Sequence, residues 1–230
     1  MPDRLSRNPS TSPAGTPAGT RAPGQRADAR NNRARLLQAA RDAYALDGAD
    51  VPSSAIARRA GVGAATLYRH FPTRDALIAA AFSEQLGQCT ATVDEALKDD
   101  DPWRGLRTAL TKVCRMQAAD RGFSAAFLAG FPDTPDVRRE RARAESGLAR
   151  LVQRAKETGQ LRKDFDTSDI TLLLLANNGV LRDSPAASMA ASRRLLAYFL
   201  QSCRPTDNTP LPEPAPLRLD DLYRTPRRTG

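Results

Sequence analysis

Between Gly61 and Pro72 the chain reads VGAATLYRHF, and the two flanking residues leave that run little freedom. Glycine permits a sharp turn that most residues resist, and proline ends a helix while holding the residue before it extended. The run therefore has room for about two helical turns. Just upstream, Ser53 or Ser54 is placed to cap another short helix carrying Ile56, Ala57 and Ala60. A capped short helix, a glycine turn and a second short helix make a helix-turn-helix, whose second helix enters the DNA major groove by its N-terminal end.

Within that second helix Val62, Leu67 and Phe71 are expected to face inward and the remaining positions to face DNA. The small side chains of Ala64 and Ala65 let the helix approach base edges closely, but a methyl group reads only thymine methyls. Thr66 and Tyr68 offer hydroxyls to phosphates, leaving Arg69 or Ser54 as donors to bases and DNA shape as a further source of specificity.

The rest of the chain sets this motif in an all-α fold. Apolar residues recur at helical spacing with no useful alternating β pattern. A first helix is predicted over 32–46, with Leu36, Leu37, Ala40, Ala43 and Tyr44 as its stripe and Gly48 to end it. Thr73 is the expected N-cap of a long helix running toward Lys98, with Asp75 in its first turn. Further helices are expected over 102–119, 123–131, 136–158, 167–181 and 186–202, the fourth of these opened by an Asp166 and Asp169 capping pair. Eleven of the 17 prolines fall in residues 1–30 and after Arg204. The composition thus divides the chain into a disordered basic arm (1–30), a helix-turn-helix domain (31–85), a second helical domain (86–203) and a disordered Pro-rich tail (204–230).

Lys and Arg total 35 against 26 acidic residues, a formal charge of +9 that favours a polyanionic partner. Arg21, Arg26, Arg30, Arg33 and Arg35 form an arm that either follows the minor groove or only solubilises a tail. Cys89, Cys114 and Cys203 are odd in number and widely spaced, which argues against a disulfide framework and fits a reducing cytoplasm. No membrane span or signal peptide is expected, and no cofactor motif is present. His70 is the only histidine, so a metal site has no second imidazole.

The stretch RLLQAARDAYALDGADVPSSAIARRAGVGAATLYRHFPTRDALI carries an Ile-Ala pair, a Gly-Val turn, a Leu-Tyr-x-His-Phe core and a basic residue ahead of a Leu. In these features residues 33–86 resemble the DNA-binding domain of the TetR family of bacterial transcriptional regulators. The resemblance implies phosphate contacts from Tyr68, His70 and Arg74, and aligns Ser53 with the hydroxyl that opens the second helix. It further implies that the later helices form a ligand-binding and dimerisation domain, with the last two pairing into a four-helix interface. Gly63 stands where many members have a Ser or Thr cap, and Ala65 where a Gly is common.

Phe123, Phe127 and Phe131, with Trp103 and Met116, are candidates to line an effector pocket, core packing being the alternative. Asn177 and Asn178 interrupt the run TLLLLANNGVL. A buried amide left unpaired costs about 1–3 kcal/mol, so one of them is expected to face a ligand, a partner subunit or water. The expected function is a dimeric regulator, a repressor by resemblance, that binds a palindromic operator in double-stranded DNA and is released by a small-molecule effector. An enzyme lacks a nucleophile pattern or a phosphate loop here. A non-specific, chromosome-compacting protein is the rival, although it has no need of the long apolar helices after residue 160.

Overall fold

In the computed structural model, residues 23–47, 51–128, 132–182, 184–205 and 209–218 are described, and among them there are nine helices and no strand. In chain order these are α1 (Pro23–Asp47), α2 (Ser53–Arg59), α3 (Ala64–His70), α4 (Arg74–Leu97), α5 (Pro102–Ala119), α6 (Arg121–Leu128), α7 (Pro135–Glu157), α8 (Thr167–Gly179) and α9 (Pro185–Ser202). Among the described residues no helix is long and apolar enough to cross a membrane.

The helix starts follow local chemistry. The side chains of Thr73, Asp101, Thr134 and Ser184 each accept a backbone N–H from the first turn of α4, α5, α7 and α9, satisfying donors that have no partner within the helix. Asp166 and Asp169 form the expected capping box on α8. Prolines open α5, α7 and α9, where a missing N–H costs nothing.

α4 belongs to both halves of the molecule. Leu77, Ala81 and Phe82 on its first half join Leu36, Ala40, Tyr44, Ile56, Leu67 and Phe71 in one core, while Val93 and Ala96 further along lie against α5 and α7. α5 runs through the second half and touches α4, α7, α8 and α9. α6 turns back onto α1: the rings of Tyr44, Phe82 and Phe123 stack in series with centroids 6.0 Å apart, joining α1, α4 and α6. Gly122 lies so close to α1 that a Cβ would stand 2.7 Å from the Arg41 carbonyl.

Besides shifts of one or two residues, such as α6 starting at Arg121 and α8 ending at Gly179, two segments differ from the sequence reading. α1 begins at Pro23 rather than near residue 32, so residues 23–30 of the supposed arm are helical. Part of the Pro-rich tail is tied down. Arg162, only 8% exposed, grips the Asp164 carboxylate and donates to the carbonyls of Ser202 and Thr209, and Asp164 in turn accepts the Leu211 N–H at 2.9 Å. Gly48, residues 1–22 and residues 219–230 lie outside the described residues.

Candidate nucleic-acid interface

α2 begins without the side-chain cap that the sequence suggested for Ser53 or Ser54. Pro52 is the N-cap, extended at φ −65°, and its carbonyl receives the N–H groups of Ala55 and Ile56. Ser53 and Ser54 are thereby moved into the first turn, Ser53 half-buried and Ser54 exposed. At the other end Gly61 adopts φ +65°, the left-handed conformation that glycine takes without strain. Its N–H donates to the Arg58 carbonyl and that of Val62 to the Ala57 carbonyl, closing α2 with a paired Schellman turn.

Gly63 then caps α3 through its backbone alone, its carbonyl accepting from Thr66 and Leu67. α3 stops at Phe71, which is extended at φ −136° because Pro72 follows. Leu67 and Phe71 are buried, and Val62 packs against the same core. Ala64, Ala65, Tyr68 and Arg69 are exposed, with Tyr68 at 51%, an unusual exposure for an aromatic ring that has apolar neighbours to join. Positions 64, 65, 68 and 69 share one face of the helix. Thr66 and His70 are half-buried at its margins, and Arg74 is exposed at the first position of α4.

The α3 turn is braced from behind. The Arg33 guanidinium lies 5.3 Å over the Phe71 ring, Arg35 lies against Gly61, and Arg59 pairs with Asp47 of α1 at 2.7 Å. Tyr44 was read from the sequence only as a member of the α1 stripe, yet its phenol comes close to Arg74. Burial raises the Tyr44 pKa above its ordinary value, Arg74 pulls against that shift, and Asp75 adds to it.

The candidate effector residues are not gathered into one chamber. Trp103 is buried at the start of α5 beneath Arg204. Met116, about 20 Å farther along the same helix, borders an open groove of about 380 Å³ with Gln88, Thr92 and Lys112. Phe123 is spent in the stack with Phe82, while the side chain of Phe127 and all of Phe131 lie outside the described residues. Asn177 is fully buried, donating to the Cys114 carbonyl at 3.2 Å and to Gln117 Oε1 at 2.8 Å. The Asn177 Oδ1 and the Thr171 hydroxyl have no hydrogen-bond partner among the described residues. A cleft of about 490 Å³ between α7, the start of α8 and the tail was not foreseen; Glu145, Ser146, Asp166, Thr167 and Leu217 line it.

The family model for bacterial regulatory proteins of the tetR family matches residues 36–81. A second, for the C-terminal domain of SbtR-like transcriptional regulators, matches residues 101–204. No curated protein matches the chain. Among solved structures, a TetR transcriptional regulator from Streptomyces coelicolor is 31% identical, with 76% of this chain and 99% of that one covered and a TM-score of 0.50. The TetR-family regulator PfmR from Thermus thermophilus is 23% identical over 74% and 95% of the two chains, with a TM-score of 0.56. A gamma-butyrolactone receptor, ArpA-like, is 18% identical over 74% and 99%, with a TM-score of 0.51. With a helix-turn-helix at one end, a matching regulatory domain at the other and a relative of this identity over nearly its whole length, the chain belongs to the TetR family of DNA-binding transcriptional regulators.

Proposed function

We propose that this regulator is a homodimeric repressor that binds a palindromic operator through two copies of α3 and is released by a small-molecule effector in the bacterial cytoplasm. The observation that carries the reading is the exposed face of Ala64, Ala65, Tyr68 and Arg69, held rigid by Leu67, Phe71 and the Arg33 and Arg35 braces behind it. Tyr68, His70 and Arg74 contact phosphates, and Arg69 with Ser54 addresses base edges. Two reading heads demand half-sites about one helical turn apart or a multiple of it.

Dimerisation through α8 and α9 is supported by Leu172 and Tyr198, 50% and 56% exposed on these two helices. For the effector, the Asn177, Gln117 and Thr171 cluster between α5 and α8 supplies polar atoms in an apolar surround, the Asn177 Oδ1 and the Thr171 hydroxyl being without a hydrogen-bond partner among the described residues. An effector that prefers the conformation with the wrong spacing between reading heads lowers operator affinity by its differential affinity for the two states.

Selection of preferred sequences from random duplexes, followed by affinities at two salt concentrations, tests the proposal. An enriched palindrome bound about 10³-fold or more tighter than random DNA is the expected result. Uniform, strongly salt-dependent binding would instead make the protein a compacting factor.

A further inference from the structure

α1 does not end where its core contacts end. Leu36 is its first fully buried residue, yet the helix continues back to Pro23, about 20 Å farther. Its direction is set by what it touches. The C-terminal half lies against α6 at Arg41 and Ala45, while Arg35 and Arg33 lie against Gly61 and Phe71 of the helix-turn-helix. Moving toward the N-terminus, α1 therefore runs from the regulatory domain to the reading head and then past it.

The sequence of that extension is patterned. Positions 26, 30, 33, 37, 40 and 44 alternate spacings of four and three, and so fall on one stripe of the helix. Tyr44 and Ala40 on this stripe are buried and Leu37 packs against the core; upstream of Leu37 the same stripe is arginine at every position. Arg30 and Arg33 are exposed. Asp28, the one acidic residue between Pro23 and Arg35, is on the opposite side of the helix. The face that meets apolar core inside the domain turns basic where the domain ends, just beyond the contacts of Arg33 and Arg35 with Phe71 and Gly61 of the helix-turn-helix.

We propose that residues 23–33 form a rigid basic rail that follows the phosphate backbone beside the groove read by α3, adding sequence-independent contacts to each half-site. This rests on the DNA-binding reading above and replaces a flexible arm with a preordered one, which loses less conformational entropy on binding.

The test uses the full chain on its selected operator with flanking duplex, measuring affinity against salt. Neutralising Arg26 and Arg30 (Arg26→Gln with Arg30→Gln) removes four charges from a dimer. It should reduce the steepness of the log affinity against log salt plot by about 3 to 4, since each phosphate contact contributes about 0.9. Ala29→Pro keeps the charge and breaks the helix ahead of the first core residue, so the rest of the domain still folds, and it should lose the same steepness. An unchanged slope in the glutamine variant would overturn the proposal. A lost slope there with a retained slope in Ala29→Pro would also overturn it, because the arginines would then act as a flexible arm. Failure of the parent protein to enrich any palindrome would reject the operator reading itself, an outcome distinct from both.

Discussion

Tyr68 and Arg69 stand side by side on the exposed face of α3, but they offer DNA different things. A phenol donates one hydrogen bond to a phosphate oxygen, which carries no base identity, whereas a guanidinium can match guanine O6 and N7 with two parallel donors. Tyr68→Phe is expected to weaken operator and random duplex alike by about 0.5–1.5 kcal/mol, one net hydrogen bond. Arg69→Ala is expected to remove about 1–3 kcal/mol from operator binding with little effect on random DNA. Paired titrations check both, and equal losses on the two duplexes would make Arg69 a backbone contact. The inward set of Leu67 and Phe71 was legible because a short helix between a glycine turn and a proline has only one way to bury its apolar residues. The cap of α2 was not legible, since Pro52 takes the capping position by its preset φ and displaces both serines. Cys114 gives a residue-scale prediction of another kind. Burial pushes its thiol up to about 12, against about 8.5 in an unfolded chain. A raised folded value favours the neutral thiol, so this stability is whole below about pH 8.5 and is lost as pH rises toward 12, by about 1.4 kcal/mol per unit. Melting temperature should fall less between pH 8 and 10 in Cys114→Ala than in the parent.

At the scale of the elements, the packing of α6 on α1 adds to the shared helix α4 a second link between the C-terminal helices and the helix-turn-helix half. Gly122 makes the approach possible: a methyl there would meet the Arg41 carbonyl at 2.7 Å and the Ala45 nitrogen at 3.3 Å, both backbone atoms of a helix that cannot step aside as a side chain can. Gly122→Ala should therefore separate α6 from α1 and cost about 1–3 kcal/mol, the usual penalty of overpacking. Hydrogen exchange is expected to quicken in α6 and in the middle of α1 while α3 keeps its protection; unchanged exchange in α6 would mean that the contact yields freely. The glycine's role was hidden in the sequence, because nothing local in RGFSAAF says which backbone will lie against it. The start of α1 was missed for a different reason. Pro23 counts in the composition among the prolines of a disordered arm, although proline is favoured at the first helical position, as Pro102, Pro135 and Pro185 are used in α5, α7 and α9. The capping box on α8 was legible because both of its members lie within one turn of each other.

At the scale of the whole molecule, the proposed dimer makes a demand on the surfaces that α8 and α9 leave open. Leu172 on α8 and Tyr198 on α9 are large side chains turned to solvent, and Arg194 lies 5.1 Å over the Tyr198 ring. Leu172→Asp with Tyr198→Asp should yield a monomer by sedimentation, with operator affinity falling toward that of a single half-site because the second contact is no longer held at high effective concentration; a dimer that survives both changes would place the interface elsewhere. The tail clamp joins segments remote in sequence, which is why composition alone suggested disorder for all of 204–230. The Arg162 hydrogen bonds, with help from the Leu211 N–H, hold the Asp164 carboxyl well below the usual carboxylate range. Because the folded value is depressed, the clamp's contribution is whole above the unfolded value of about 3.9 and is lost as pH falls from there toward the folded one. At neutral pH Asp164→Asn removes the same charge and replaces the carboxylate beside the nearly buried Arg162 with a neutral amide, while the carbonyls of Ser202 and Thr209 still accept from its guanidinium. Limited proteolysis should then cut between residues 209 and 218 of the variant much faster than in the parent, with the helix-turn-helix equally resistant in both. Equal cleavage rates would show that the tail is held by its apolar contacts, such as Leu217 at the α7 and α8 cleft, and not by the ion pair.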